Sequence, residues 1–403
     1  MKLKAILISA LAIGCALFHS CSKHVEQSYY SEHPAATAAL DSLFSSVFPA
    51  GGPGAIVGMT VNGDMVYRHG FGQANLATEA LYTDSTTTNI CAATRAFTTA
   101  AIMKLVQDGK LSLEQPISDF FPEFRSPIFS RVTIRHILSN STGLPDTRPR
   151  NNEEWHTYIR HHESTFSVAN DYMLYGRESE MIKYFESLDS IESEPGTKFR
   201  FQDPPFMLLA RVISKSSGMR YTTYMTDSIF APAGLTETFL FDPDSTIDNE
   251  AHGYAPYDAS DDSDRFVSED KKWEEYDFGE APFFPTRADR GIYTTARDYF
   301  KWIKAFTGGK IISKDALAQI MTPQVYTKLP SISYGLGTFV HSKGDKIVKM
   351  FHLNYNGGFS VYQCYYPDDD VFLFIFSNRP DWDRFEMGRT VETILRKNGF
   401  VTK

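Results

Sequence analysis

The chain has 403 residues, of which 42% are hydrophobic and 22% charged. That is longer than the ~100–200 residues of one ordinary domain, and the balance is globular, which excludes a disordered chain. Forty basic residues against 49 acidic ones leave a net charge of −9, and no stretch gathers the basic ones into a patch, so nucleic acid is not an expected partner. Cysteines occur only at 15, 21, 91 and 364, and no GxxxxGK[ST] loop is present. A disulfide scaffold, a CxxC zinc site and P-loop chemistry are thereby excluded, and neither a metal nor a cofactor is expected.

The first predicted element is an address. A short basic start, Met1-Lys-Leu-Lys4, precedes an uncharged, mostly apolar stretch from Ala5 to Phe18. This is shorter than the ~20 residues that span a bilayer and has the size of a signal-peptide core. It ends in Ser20-Cys21, a loose lipobox, so residues 1–20 are expected to be removed and Cys21 to carry a lipid. The protein is then an exported, membrane-anchored lipoprotein, periplasmic or on the cell surface. Plain secretion with Cys21 incidental is the alternative, and Ala12-Ile13-Gly14-Cys15 is a competing box with a shorter core. Residues 21–33 are polar and read as a tether.

Gly54–Arg68 holds Asn62-Gly63 between β-rich runs, a strong hairpin signal. Apolar residues at 93, 97, 101, 102, 105 and 106 predict a helix over Ala93–Gln107 that stops at Gly109. Phe206–Lys215, closed by Gly218, and Thr295–Phe306 predict two more. Asp258–Glu280 is acidic and polar. Ser333–Val340, Phe359–Tyr366 and Val371–Ser377 read as strands, and Met387–Lys397 as a closing helix. The expected fold is α+β, an antiparallel sheet flanked by helices. The sheet part spans about 34–125 and 285–403, with a mainly helical insert over about 126–284.

Seven segments in order resemble the serine β-lactamase and DD-peptidase (penicillin-binding-protein-like) superfamily, nearest its class C and esterase-like branch. They are AIVGMTVNGDMVYRHGFGQANL, FTTAAIMKLVQDGKLSLEQPISDFFPEF, VTIRHILSNSTGLPD, EPGTKFRF, GIYTTARDYFKWIKAF, YGLG and HLNYNGGFS. The resemblance implies a sheet domain and a helical domain with a cleft between them. It also implies an acyl-transfer site of three motifs. Ser-x-x-Lys places nucleophile and base one helical turn apart. Tyr-x-Asn adds a proton-transfer group. A Lys- or His-bearing strand binds the substrate carboxylate and flanks the oxyanion hole.

This chain departs from all three motifs. Ala92-Ala93-Thr94-Arg95 stands for Ser-x-x-Lys, so the nucleophile is a methyl group and the base a guanidinium that keeps its proton. Phe201-Gln202-Asp203 stands for Tyr-x-Asn and lacks the hydroxyl. His352-Leu353-Asn354 keeps the strand motif, with asparagine where glycine is usual. The degenerate positions Ala92, Arg95 and Phe201 therefore offer no acyl-enzyme chemistry. The candidate binding residues are Arg95, Gln202, Asp203, His352 and Asn354. Since motif lysine and motif asparagine interact in the family, Arg95 and Asp203 are expected to pair at the mouth of the site. Asp203 also suits a helix N-cap before Pro204-Pro205.

Other nucleophiles are weak candidates. Ser268-Glu-Asp-Lys271 repeats the spacing but opens no apolar helix. Thr94 lies about 200° around the helix from position 92. Cys91 is either a small buried residue or a thiolate at a helix start, and Cys364 reads as core. Trp155, Tyr158, Tyr172 and Tyr175 are either helix packing or a ligand wall. Three functions remain open. One is an inactive protein binding a peptidoglycan-derived or acyl ligand, or a partner, in its cleft. The second is an amide or ester hydrolase with a non-serine mechanism. The third is a purely structural or interaction protein.

Overall fold

The structure is a computed structural model that describes residues 33–145, 182, 185–242, 246–257, 259, 266–276 and 288–402. The proposed signal peptide, Cys21 and the aromatic residues 155–175 lie outside the described residues.

Eight strands form one antiparallel sheet. They are β1 (Ala55–Val61), β2 (Asp64–Phe71), β3 (Val325–Tyr326), β4 (Ile332–Tyr334), β5 (Phe339–Lys343), β6 (Lys346–Asn356), β7 (Phe359–Tyr366) and β8 (Val371–Ser377), in the order β3-β4-β5-β6-β7-β8-β1-β2. Both ends of the chain thus build one sheet, with β1 joining it beside β8. The hairpin turn is set by Asn62 and Gly63, both at positive φ, the twist that matches two antiparallel strands.

Helices cover both faces, so every residue of β7 and β8 is buried. On one face Phe372, Phe374 and Phe376 meet α4 (Ala296–Thr307) through Tyr299 and Trp302. On the other, Leu373 and Ile375 meet α1 (Pro34–Val47) and α6 (Arg384–Lys397) through Leu40, Phe44, Met387 and Val391. Alternating burial on opposite faces explains why Val371-Phe-Leu-Phe-Ile-Phe376 is apolar without a polar period. Each such side chain contributes about 1.5–3 kcal/mol on burial. α4 comes so close to β1 that a Cβ on Gly58 would sit 2.5 Å from the Phe300 ring.

Helix α2 (Thr94–Gln107) is buried at every position from Thr94 to Met103, the mark of a helix surrounded by protein. α3 (Pro204–Ser217) packs against it and ends at Gly218, whose φ of +74° supplies the left-handed cap. α5 (Lys314–Met321) covers a further part of the core. The expected strand Ser333–Val340 is two strands, β4 and β5, because Gly335-Leu336-Gly337 breaks away from the ladder. Gly337 has φ +73°, and a Cβ there would overlap the Thr99 Oγ1 of α2. β6, the longest strand, carries the His352-Leu-Asn354 motif.

Candidate functional site

A tight helical turn, Cys91–Ala93, precedes α2 and packs against β6 and β7. Its entry is strained, since Cys91 has φ +48° without being glycine. Asn89 holds the turn by accepting the Cys91 N–H at 2.8 Å and donating to the Arg290 carbonyl at 2.9 Å. Ala92 follows, buried, with a methyl where the motif has a hydroxyl.

One helical turn on, Arg95 is completely buried. Its Nε–H donates to Asp289 Oδ1. One terminal nitrogen donates to Asp203 Oδ1 at 2.8 Å and to the Gln202 carbonyl at 2.9 Å, and the other to the Tyr334 hydroxyl at 3.4 Å. The guanidinium carbon lies over two rings, 4.1 Å from the centre of Phe201 and 4.4 Å from that of Phe206, two cation–π contacts. Arg290 closes the group by donating to Asp203 Oδ2, with its Nε 3.2 Å from Asp289 Oδ2. Two arginines and two aspartates form a knot of ion-pair contacts.

Burial by itself lowers the Arg95 proton affinity, but Asp289, Tyr334 and Asp203 outweigh it and hold the group above its ordinary value. Burial pushes Asp289 up to about 6, with Arg95 opposing and Asp203 adding to the rise.

The geometry corrects several expectations. The Arg95–Asp203 contact lies inside the protein, not at a mouth. Asp203 precedes α3 but makes no side-chain cap bond, because both carboxylate oxygens face arginines. Gln202 is no free ligand: its amide donates to the Leu144 carbonyl at 3.0 Å and accepts from Thr142 at 3.2 Å. His352 is turned inward. Its Nε2–H donates to the Gly337 carbonyl at 2.9 Å, and its Nδ1 accepts from the Gln363 amide at 2.9 Å. That fixes the tautomer, and Gln363 in turn accepts from Tyr299. Burial pulls His352 down to about 4, with the Arg95 charge adding and the Gly337 bond opposing, so it is neutral. Asn354 is half-buried two residues further along β6. Arg95, Phe201, Gln202 and Asp203 are thus brought together, while His352 and Asn354 stand on a separate wall.

Cys91 is fully buried, and burial pushes its thiol up to about 12, with Arg290 and Arg384 opposing. Ser268 is bonded within an exposed turn to Asp270 at 2.8 Å. The Thr94 hydroxyl accepts the Ile292 N–H at 3.3 Å, away from position 92. Among the described residues no group of three His, Cys, Asp or Glu side chains could hold a metal. Sequence reasoning missed Phe206, Asp289, Arg290 and Tyr334. Tyr334 lay in the YGLG segment, and Asp289-Arg290 directly preceded GIYTTA, where a charge pair before a β run was the available signal.

The beta-lactamase family profile matches residues 45–395. The chain is 26% identical over 338 residues to penicillin-binding protein 4* of Bacillus subtilis, covering 83% of this chain and 70% of that one. It is 24% identical over 283 residues to the putative penicillin-binding protein PbpX of the same organism, covering 69% and 60%. Among solved structures, a penicillin-binding protein from Bacillus halodurans superposes with a TM-score of 0.70 at 23% identity, covering 88% of this chain and 98% of that one. A class C β-lactamase mutant, in which a tyrosine is replaced by phenylalanine, superposes at 0.68 and 18% identity, covering 91% and 98%.

Proposed function

This chain belongs to the beta-lactamase family, and we propose that it is a member without acyl-enzyme chemistry, acting by non-covalent binding. The observation that carries this reading is Arg95. Beside a methyl at position 92, its buried guanidinium is engaged by Asp289, Asp203, Gln202 and Tyr334. A guanidinium cannot serve as the base. Several relatives are named penicillin-binding proteins. That favours a peptidoglycan-derived or acyl compound as the ligand over a protein partner, held in the cleft without a covalent step. We also propose export and lipid attachment at Cys21, on the strength of the Ser20-Cys21 junction.

Incubation with a fluorescent penicillin and with a fluorophosphonate, read by intact mass, is expected to leave the protein unmodified, with saturable and reversible binding of a muropeptide. Stoichiometric acylation would overturn the reading. Cys21→Ser is expected to move the protein from the membrane fraction to the soluble one, and unchanged retention would mean that Cys21 is not the anchor.

A further inference from the structure

β6 is longer than its neighbour. Its pairing with β5 ends at Phe351, opposite Phe339, whereas β7 pairs with it as far as Asn356. Among the described residues β6 therefore has, from His352 onward, one paired side and one overhanging side. In an antiparallel strand the N–H and C=O of a residue point to the same side and alternate along the chain. Thr338 donates to the Phe351 carbonyl at 3.3 Å from the β5 side, and the register with β7 runs without a bulge. The backbone groups of residues 351, 353 and 355 thus face the overhang. The turn that carries Ala92 packs against this same strand.

An amide on an open strand edge beside a nucleophile turn can hold the oxygen of an acyl group or pair with an extended peptide. The Tyr355 N–H lies on that edge, and it donates to Oδ1 of Asn354 at 2.7 Å. We infer that Asn354 is an internal plug, its side-chain oxygen standing where a ligand carbonyl would dock. A glycine at 354 has no side chain to do this. The inference rests on the non-covalent reading above and adds a second, separate closure. Arg95 removes the chemistry, and Asn354 removes a docking point for carbonyls on the strand edge. A ligand of this cleft is accordingly recognised by side chains and not by strand addition at Tyr355.

Residue-resolved amide exchange on the full chain tests the plug. Asn354→Ala should speed exchange at Tyr355 by roughly 5–10-fold relative to its neighbours, while Asn354→Asp, which still offers an acceptor, should keep the protection. An unchanged rate in Asn354→Ala overturns the inference and leaves the non-covalent reading intact. A second arm uses a variant carrying Ala92→Ser, Arg95→Lys, Phe201→Tyr and Asp203→Asn. Adding Asn354→Gly to it should raise labelling by fluorescent penicillin by roughly tenfold or more. Labelling of the fourfold variant as fast as the fivefold one overturns the plug. Labelling of the wild-type chain would instead remove the reading on which it rests.

Discussion

Around Arg95 two arginines and two aspartates are buried together and their contacts hold the Arg95 proton in place, whereas His352, on the strand that forms the other wall, is buried and is pulled toward its neutral form. The difference lies in partners. The Arg95 guanidinium touches two carboxylates, a carbonyl and a hydroxyl, so desolvation is offset by contacts to the charged form. His352 meets a carbonyl and an amide. A neutral imidazole satisfies both, and protonation would gain no carboxylate while leaving Gln363 with two donors opposed. The site thus divides into a wall that tolerates charge and one that does not.

The largest effect should come from opening the knot. Asp289→Ala leaves Arg95 and Arg290 sharing one carboxylate in a buried space, and a stranded charge of this kind costs about 3–5 kcal/mol. Urea unfolding of wild type and variant measures it. A loss under about 1 kcal/mol, the level of an exposed pair, would mean that water reaches the knot and that the contrast between the walls is false.

On the other wall the effect should depend on pH. His352 is held near 4 when folded against an ordinary value of about 6.5. Between pH 6.5 and 4 the unfolded chain binds a proton that the folded one refuses. Stability from this residue is therefore complete above about 6.5 and lost as pH falls toward 4, by about 3 kcal/mol in all. Asp289, raised to about 6, has the opposite sign: the folded chain holds its proton more tightly, so its contribution falls as pH rises from about 4 to 6. The clean readout is the difference between wild type and His352→Gln measured at pH 7 and at pH 4. A pH-independent difference would show that folding leaves the proton affinity of His352 unchanged.

A smaller effect is expected when the charge at 95 is kept and its shape changed. In Arg95→Lys one ammonium cannot reach Asp289, Asp203 and the Gln202 carbonyl together, and the guanidinium contacts to the Phe201 and Phe206 rings are lost. A cost of about 1–3 kcal/mol follows. Asp203→Asn should cost more than this, because it also weakens the contact to Arg290. The double variant Arg95→Lys, Asp203→Asn should recover part of the loss, with a coupling of about 1 kcal/mol in a double-mutant cycle. Strictly additive changes would mean that the two side chains are neighbours without being partners.

These effects rest on contacts that sequence reveals unevenly. The hairpin at Asn62-Gly63, the buried helix after position 92 and the strands Phe359–Tyr366 and Val371–Ser377 follow local patterns, and the structure places them where the patterns lie. The residue pattern did not predict β6, because Lys346–Asn356 mixes lysines with residues buried on both faces and no period of two emerges; only the resemblance put residues 352–354 on a strand. α1 was missed although Ala36, Leu40 and Phe44 recur at helical spacing behind Pro34. The replacement of lysine and asparagine by arginine and aspartate pointed to a charge pair. Nothing local told that Asp289, 194 residues from Arg95, completes it, because a buried ion pair and a polar turn use the same residues. The inward turn of His352 was equally silent, since it depends on the Gly337 carbonyl brought near by the break between β4 and β5.

The smallest expected effect is none at all, and it decides whether the turn at Cys91 retains any reactivity. Cys91 sits directly before Ala92 on a strained backbone, where a thiolate would be the obvious replacement for the missing hydroxyl. Thiolate is the nucleophile, and two nearby arginines favour it. Burial wins nonetheless, raising the thiol to about 12, so at neutral pH the thiolate fraction is on the order of 10⁻⁵, and the sulfur is fully enclosed. Iodoacetamide applied to the native protein at pH 7.5 should leave the Cys91 peptide unmodified over hours, and the same treatment in 6 M guanidinium should modify it completely. Native labelling within minutes would show that the turn opens to solvent. It would also revive hydrolysis by a non-serine nucleophile as the function of this site, and Cys91→Ala would then be the variant to assay.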